Sequence, residues 1–357
     1  MWIQQKQRCY TNYNISKGIK MKVVTFGEVL LRFSKRDDYR LTQGAQMEAH
    51  FGGSEANAAV SLAMLGNEVR YVSRLPETAM GKACEQRLRE MGLNTRFINW
   101  GGPRIGTYFF EQAASLRPSR VVYDRKDSAF YNLHPGMIPW RDVFRGADVF
   151  HCSGITCALS QSATDATFEA VRTADEMGLV IACDINNRKN LWNYGAKAAD
   201  VLPQLMHYSD IVFGDAGEWE LVSGLPRIPF EATSSDYHID VEAYTAMFRK
   251  IADRFPRCRK FIMGLRNEVS SNHHLLSGVL FDGEKLYTTR VYDINPVIDP
   301  MGVGDAYLAA YLHAHLVRRD DDQRCLDFSL AASTLKSTIS GDFNLSTEEE
   351  IEALMNS

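Results

Sequence analysis

Hydrophobic and polar positions along the chain follow two alternating periods. Residues 23–26, 147–152 and 179–184 are short apolar runs with the length and composition of buried strands. Stretches with helical periodicity lie between such runs, for example at 161–177 and 239–254. Strands that alternate with helices of this length predict an α/β fold, with a mostly parallel central sheet and helices on both faces. Ligands of such sheets bind beyond the carboxyl ends of the strands.

One segment departs from this alternation. Residues 107–111 and 120–123 are rich in β-formers, and the turn-like stretch 115–119 separates them. This pattern predicts a hairpin without an intervening helix. Such a hairpin could be a flap over a site or an edge ribbon without function, and the segment alone leaves both readings open.

The first 20 residues are polar, have no periodicity and precede a second methionine, Met21. We expect residues 1–20 to be a disordered extension and residues 21–357 to form the folded domain. No apolar run reaches the roughly 20 residues that a bilayer-spanning helix needs, and no signal-peptide pattern precedes the domain. A membrane partner is therefore not expected.

Charge and cysteine content narrow the function further. The chain has 40 Lys plus Arg and 44 Asp plus Glu, a formal net charge of −4, which gives no reason to expect nucleic acid as a partner. Its seven cysteines are scattered and include no C-x-x-C pair. These features favour a reducing cytoplasmic location.

The strongest chemical signal is the stretch Asp299-Pro-Met-Gly-Val-Gly-Asp305, which is followed by a helical pattern. Gly302 and Gly304 permit a tight turn whose backbone N–H groups, with that of Val303, point in one direction. A turn of this kind at a helix N-terminus can bind the oxygens of a transferring phosphoryl group. Asp305 would lie beside it, either as a helix cap or as the base that accepts a hydroxyl proton. Spacing alone does not decide between these roles.

The same stretch resembles the D-[TP]-x-G-[AV]-G-D signature of the ribokinase-like, or PfkB, carbohydrate kinases. The family's other signature is matched at residues 52–59, Gly-Gly-Ser-Glu-Ala-Asn-Ala-Ala. The resemblance implies a three-layer ribokinase-like fold with a small β-rich lid, inserted from about 32–50 and 95–126. It also implies phosphorylation of a sugar hydroxyl by Mg²⁺-bound ATP, with Asp305 as the general base and the 302–305 amides as the anion hole.

Within the family, the chain is most similar to the 2-keto-3-deoxygluconate kinases, through pieces such as Val-Tyr-Asp-Arg-Lys at 122–126 and Asp-Ile-Asn-Asn-Arg at 184–188. This resemblance places substrate contacts at seven positions: Gly53, Asn57, Tyr108, Tyr123, Arg125, Ile155 and Arg188. The two arginines fit a sugar acid, because a guanidinium holds a carboxylate in two-point geometry.

The resemblance places nucleotide contacts at six positions: Asp215, Glu218, Gly264, Arg266, Gly302 and Gly304. Two departures occur there. Residues 263–272 have Gly264 as their only glycine where many members have a glycine-rich stretch, and Asp215 replaces the asparagine of an N-x-x-E segment. Glu218 is expected to act on Mg²⁺ through phosphate or water, and a monovalent cation is a possible further cofactor.

We therefore expect an ATP-dependent kinase that transfers the γ-phosphate to the 6-hydroxyl of 2-keto-3-deoxy-D-gluconate. A fructokinase-like or other PfkB sugar kinase is the alternative, and a non-catalytic sugar sensor is a more distant one. By analogy with the family, a homo-oligomer formed through the lid is also expected.

Overall fold

A computed structural model describes residues 20–35, 39–44 and 46–357 of the chain. Part of the expected lid, at 36–38 and 45, and the expected extension, except Lys20, lie outside the described residues. The strands, in chain order, are β1 Lys22–Phe26, β2 Leu30–Ser34, β3 Glu48–Gly52, β4 Glu68–Val72, β5 Arg74–Leu75, β6 Asn99–Trp100, β7 Gly106–Glu111, β8 Arg120–Asp124, β9 Val149–Ser153, β10 Val180–Asp184, β11 Ile211–Asp215, β12 Lys260–Ser270, β13 His273–Phe281, β14 Leu286–Thr288 and β15 Tyr292–Ile294.

The helices are α1 Ser54–Met64, α2 Ala79–Glu90, α3 Trp140–Phe144, α4 Gly154–Cys157, α5 Gln161–Glu176, α6 Ala198–Met206, α7 Ala216–Ser223, α8 Val241–Arg254, α9 Val303–His313, α10 Asp322–Lys336 and α11 Glu348–Met355. A π-helical turn, Ala314–Arg318, continues α9. Several caps follow from local sequence: Thr78, Ser160 and Asp240 each accept a backbone N–H of the first turn of α2, α5 and α8.

The central sheet has nine strands in the order β14-β13-β12-β11-β10-β9-β1-β4, and β15 also pairs with β13. The strands from β12 to β4 are parallel, and β13 to β15 add an antiparallel edge. This arrangement confirms the predicted α/β fold with a mostly parallel sheet. The helical patterns at 161–177 and 239–254 are confirmed within two residues at each end.

Helices cover both faces of the central sheet. Because successive residues of a strand point in opposite directions, each strand contributes side chains to both faces. In β1, Val23 packs into an apolar cluster with α1, α9 and α10, whereas Val24 and Phe26 pack into a cluster with α3 and α5 on the other face. A third cluster, around Trp219 and Phe248, joins α7 and α8 to β11–β13. The core therefore lies in two layers, as a three-layer α/β architecture requires.

A second sheet, which we call the lid sheet, consists of strands β3-β2-β7-β8. β7 and β8 are antiparallel, with Thr107 opposite Asp124 and Glu111 opposite Arg120, which confirms the predicted hairpin. β2 pairs with β3 and β7. Since β2 follows β1 after three residues and α1 follows β3 after Gly53 alone, this sheet is connected to the edge of the central sheet where ligands are expected.

Candidate active site

The turn before α9 is held in one conformation. Asp299 accepts hydrogen bonds from the backbone N–H of Met301 (3.0 Å) and of Gly341 (2.9 Å). Gly302 is the helix N-cap, with φ of 79°, and a Cβ there would collide with the carbonyl of Asp342. A glycine is therefore required at 302 by both conformation and space.

This turn leaves its amides available to a ligand. The first N–H groups of a helix have no partner within the helix, and no side chain of the described residues caps α9. A Cβ at Gly304 would meet nothing within 4 Å, so the space above it is open. Gly302, Val303 and Gly304 thus lie at an uncapped helix start beside open space, and their role as an anion hole stays a prediction.

Asp305 lies in the first turn of α9, and its carboxylate faces the start of α1. Ser54 Oγ donates to its Oδ1 (2.7 Å), and Asn57 Nδ2 donates to its Oδ2 (2.8 Å). Asp305 therefore does not cap its own helix. Burial raises the pKa of this carboxyl, while the hydrogen bonds from Asn57 and Ser54 lower it. The net effect raises the pKa of Asp305 above its ordinary value, and a raised pKa suits a carboxylate that accepts a proton.

Asn57 and Gly53, both expected to contact the sugar, also help to position the Asp305 carboxylate. The Asn57 amide connects the two ends of this contact, since its Oδ1 accepts from the backbone N–H of Gly53 (3.2 Å) while its Nδ2 binds Asp305. A Cβ at Gly53 would collide with the carbonyl of Glu28. The glycine thus lets the start of α1 approach the chain that leads into the lid sheet.

Arg125 is buried beside Glu28 rather than lying open in a cleft. Its Nε donates to Glu28 Oε2 (2.6 Å), and Ser128 Oγ donates to the other oxygen of the same carboxylate (2.5 Å). The Arg125 side chain is 4 % exposed, and its Nη1 is buried with no partner within the described chain. One donor group of this arginine thus has no hydrogen-bond acceptor among the described residues.

Tyr108 and Tyr123 are neighbours across β7 and β8, with ring centroids 5.9 Å apart. The Tyr108 hydroxyl donates to Asp342, which also accepts from Arg32 (2.8 Å). Burial and then the nearby Asp342 carboxylate hold the pKa of Tyr108 well above its ordinary value. The Tyr108 hydroxyl is therefore engaged by the protein, while the Tyr123 ring is only partly buried.

Arg188 and Ile155 follow adjacent strands. Arg188 lies four residues beyond β10, its side chain is about half exposed, and its Nη1 lies 3.9 Å from Glu218. Ile155 is 7 % exposed in α4, directly after β9. Since Asp184 at the end of β10 pairs with Ser153 at the end of β9, both residues follow the same edge of the sheet.

Asp215 and Glu218 form a capping box at the start of α7. Asp215 Oδ1 accepts from the N–H of Glu218 (2.8 Å), and Glu218 Oε2 accepts from the N–H of Asp215 (2.9 Å). Glu218 Oε1 also accepts from the N–H of Asn187 (2.6 Å). Burial and then the Asp215 charge raise the pKa of Glu218 to about 7. The Asp215 replacement is thus compatible with a well-formed helix start.

Gly264 and Arg266, expected at the nucleotide, lie in strand β12. β12 continues to Ser270 and pairs with β13, so the glycine-poor stretch forms a two-stranded ribbon. Gly264 is opposite Asp215 in the parallel pairing with β11, and a Cβ there would meet nothing within 4 Å. The Arg266 side chain is 52 % exposed and forms an ion pair with Glu268 (3.3 Å). Their nucleotide contacts stay a prediction.

Sequence reasoning missed several polar residues of the site. Ser54 donates to Asp305 and accepts from Asn186 Nδ2 (2.7 Å), yet the sequence marks it only as one residue of the 52–59 motif. Asp184 ends β10, and burial, followed by the Glu218 and Asp305 charges, raises its pKa. Its position after a predicted strand was the available signal. Glu28 follows β1 in the same way.

The donor set fits a hard cation in one respect. Asp184 and Glu218 are carboxylates whose pKa values are raised by burial and then by neighbouring carboxylates, Glu218 for the first and Asp215 for the second. A divalent cation would relieve this repulsion. Within the described residues, no three His, Cys, Asp or Glu side chains form a metal cluster. The residues thus fit Mg²⁺ held largely by phosphate and water, as it commonly is.

Comparison with known proteins gives a consistent result. The model of the pfkB family carbohydrate kinases matches residues 20–255. A 2-dehydro-3-deoxygalactonokinase of Haloferax volcanii is 28 % identical over 335 residues, covering 94 % of this chain and 96 % of the relative. A 2-dehydro-3-deoxygluconokinase of Thermoproteus tenax is 26 % identical over 339 residues, covering 94 % of each protein.

The crystal structure of a 2-dehydro-3-deoxygluconokinase from Thermotoga maritima superposes with a TM-score of 0.88 at 34 % identity, covering 96 % of this chain and all of the other. None of the helices in the described part of the chain is both long and apolar enough to cross a membrane. The matches extend over the lid sheet and the central sheet alike. The chain belongs to the PfkB family of carbohydrate kinases.

Proposed function

We propose that this protein transfers the γ-phosphate of ATP to the 6-hydroxyl of 2-keto-3-deoxy-D-gluconate. The observation that carries the proposal is the placement of Asp305, whose carboxylate is held by Ser54 and Asn57 beside the glycine turn at the start of α9. Each carboxylate oxygen receives one hydrogen bond and has a second acceptor site, so a substrate hydroxyl can still donate to Asp305.

The transfer follows from this geometry. The γ-phosphoryl group lies over the amides of residues 302–305, which stabilise the charge on its oxygens. The sugar hydroxyl oxygen forms a bond to phosphorus while the bond to the β–γ bridging oxygen breaks, and ADP leaves with the electron pair. Asp305 accepts the hydroxyl proton and later releases it to solvent. Mg²⁺, when bound, neutralises phosphate charge, and Glu218 and Asp184 would hold it through water.

The choice of a sugar acid rests on the two arginines. Arg125 has a buried Nη1 without a partner, and Arg188 lies half exposed beyond the end of β10. A substrate carboxylate between them would satisfy the unpartnered donor and gain charge-assisted hydrogen bonds. The relatives from Haloferax volcanii and Thermoproteus tenax are named for two such acids, which differ in the configuration of one hydroxyl-bearing carbon.

A kinase of a neutral sugar is the second candidate, and one contact favours it. Glu28 neutralises Arg125, so this pair presents little net positive charge to a ligand. A neutral ketose could use the same Nη1 donor through a hydroxyl. Under this alternative, fructose or a related sugar replaces the acid, and Arg188 serves the nucleotide side of the site.

An ADP-release assay over a sugar panel tests the proposal. The panel contains 2-keto-3-deoxygluconate, 2-keto-3-deoxygalactonate, fructose, ribose and tagatose, each with ATP and Mg²⁺. We expect the highest kcat/KM with a keto-deoxy acid and phosphate on its 6-oxygen, measured by ³¹P NMR of the product. A preference for fructose would support the second candidate. Sugar binding without any ADP release would contradict both and indicate a sensor.

The lid sheet supports a homodimer as a further part of the proposal. Phe33, Phe109 and Val122 are paired in one row across β2, β7 and β8, on the face opposite Tyr108. Val122 is 38 % exposed, and the two phenylalanine rings stack with centroids 5.6 Å apart. Covering this row by a second copy would bury apolar surface. Light scattering should then show a dimer for the wild type and a monomer for Val122→Glu. A monomeric wild type would contradict the proposed homodimer.

A further inference from the structure

One buried charge near the glycine turn has no role in the transfer described above. Lys336, the last residue of α10, is fully buried. Its Nζ donates to the carbonyl of Ile339 (2.9 Å), and no carboxylate of the described residues forms an ion pair with it. A buried ammonium without an ion-pair partner is costly, so its presence at this position calls for a physical reason.

Lys336 lies directly behind the anion-binding turn. A Cβ at Gly302 would be 3.3 Å from Lys336 Cε, so the lysine stem packs on the turn's backbone. The last turn of α10 also bonds to both flanks of the glycine turn: Ser333 Oγ donates to the carbonyl of Val303 (3.0 Å), and the Ser337 carbonyl accepts from the N–H of Ile298 (2.8 Å). The ammonium is thus held in a fixed position relative to the turn.

The charges around Lys336 show what the ammonium offsets. Arg32 forms ion pairs with both Asp299 and Asp342, each at 2.8 Å, and all three side chains are buried. One cation with two carboxylates has a net charge of −1, which would repel a phosphoryl group at the adjacent turn. The pKa of Lys336 is lowered, mainly by burial and further by Arg32, while Asp299 and Asp342 act in the opposite direction and favour its charged form. With the ammonium, the group of four sums to zero.

We propose that the Lys336 ammonium offsets the negative charge beside the turn at 302–305, so that the amides of this turn can bind a phosphoryl group. Lys336 is thus a positioning residue, which acts through the turn without touching the phosphate. This inference rests on the proposed phosphoryl transfer and adds a residue to it. It also has a consequence for cofactors: the chain supplies its own positive charge at this place, so the transfer needs no added monovalent cation.

The first test uses the wild type. Turnover of the best panel sugar is compared in potassium, ammonium and tetramethylammonium chloride at equal ionic strength. We expect rates within about twofold of one another, because Lys336 already supplies the positive charge. The large tetramethylammonium ion cannot enter a buried site and therefore serves as the control without an available cation. A wild-type rate that depends on potassium or ammonium would overturn the proposal, whichever sugar is phosphorylated. Absence of turnover with every sugar would instead contradict the proposed function itself.

The second test removes the charge. Lys336→Met, which keeps the buried stem, should lower kcat roughly 10- to 100-fold, a loss comparable to that of an oxyanion-hole donor, with a small change in sugar KM. Lys336→Ala leaves space behind the turn, and ammonium chloride should restore its kcat several-fold over tetramethylammonium chloride. Lys260→Met is the matched control, since Lys260 pairs with Asp322 (2.6 Å) away from the turn.

A structural role for Lys336 gives different results. Lost packing or a lost bond to Ile339 would lower the melting temperature without a response of kcat to ammonium. A folded Lys336→Met enzyme with kcat within about twofold of wild type would also overturn the proposal. If neither variant folds, the wild-type salt comparison still decides the matter, because it requires no substitution.

Discussion

The two ends of the candidate site differ in construction. At the phosphoryl-transfer end, Asp305 is held by two donors from α1, and Gly302 is packed against the carbonyl of Asp342. At the nucleotide end, Gly264 borders open space and Arg266 is half exposed, with one ion pair to Glu268. Buried, bonded groups tolerate little change, whereas exposed ion pairs contribute little energy. We therefore expect substitutions to have strong effects at the first end and weak ones at the second.

The largest effect should come from the base. Asp305→Asn preserves the shape of the side chain but cannot accept a proton, so we expect kcat to fall about 10²- to 10⁴-fold while sugar binding stays nearly unchanged. Steady-state kinetics and calorimetric titration of the sugar measure the two quantities. Asp142→Asn, at an exposed surface ion pair, is the control. Near-normal turnover of Asp305→Asn would remove the base assignment.

The Arg125–Glu28 pair comes next. Arg125→Ala should raise KM for the acid sugar at least about tenfold, with less effect on fructose, because a carboxylate loses a charge-assisted partner. It should also lower the free energy of unfolding by about 3–5 kcal/mol, since Glu28 is left buried and unpaired. Urea denaturation and sugar kinetics separate these effects.

A double variant sharpens this test. Glu28→Gln with Arg125→Met removes both charges, so much of the stability should return while binding of the acid sugar stays weak. Equal rises in KM for acid and neutral sugars in Arg125→Ala would show that Arg125 does not bind the carboxylate.

Glu55 should affect stability in a pH-dependent way. It is fully buried and accepts from Ser153 (2.7 Å) and Thr156 (3.0 Å), and burial raises its pKa from 4.5 to about 7. The folded state thus keeps a proton that the unfolded chain loses above pH 4.5, and stability falls as pH rises from 4.5 to 7. At about 1.4 kcal/mol per pKa unit, Glu55→Gln should gain about 3 kcal/mol over wild type between pH 4.5 and pH 8.

Urea denaturation at both pH values measures this gain, with the exposed Glu77→Gln as the control. A difference between Glu55→Gln and wild type that stays the same at pH 4.5 and pH 8 would mean that Glu55 is already ionised in the fold.

Ser54→Ala should have a smaller effect on the base. Loss of its hydrogen bond removes one of the contacts that lower the pKa of Asp305, so the acid limb of kcat/KM should move to higher pH. We expect a loss of about 3- to 10-fold in kcat, the net value of one typical hydrogen bond. Ser61→Ala is a matched control in the same helix, because the Ser61 hydroxyl has no partner in the described chain. Identical pH profiles for the two variants would refute a role for Ser54.

The smallest effect is expected at the nucleotide end. Arg266→Ala should raise KM for ATP by less than about fivefold and leave kcat unchanged, because an exposed charge contributes little. Kinetics with ATP as the varied substrate measure it. A rise in KM for ATP of more than tenfold would show that the nucleotide contacts the β12–β13 ribbon. It would also contradict the expected difference in sensitivity between the two ends of the site.

Much of the fold and part of the site followed from the sequence. The period of the apolar positions predicts parallel strands and their covering helices, because burial on two faces requires that pattern. The hairpin at 107–123 follows from its β-rich runs and turn. Gly302, Gly304 and Asp305 can be recognised from the sequence because the turn conformation and the carboxylate both come from one short motif at 299–305.

Contacts between distant segments could be decided only by the tertiary structure. The bonds of Ser54 and Asn57 to Asp305 join residues about 250 positions apart, and the Arg125–Glu28 pair joins the lid sheet to the end of β1. Likewise, the last residue of a long helix gives no local sign that its ammonium lies behind a glycine turn. Periodicity reports which face of an element is buried, whereas the partner of a buried charge depends on how all the elements pack together.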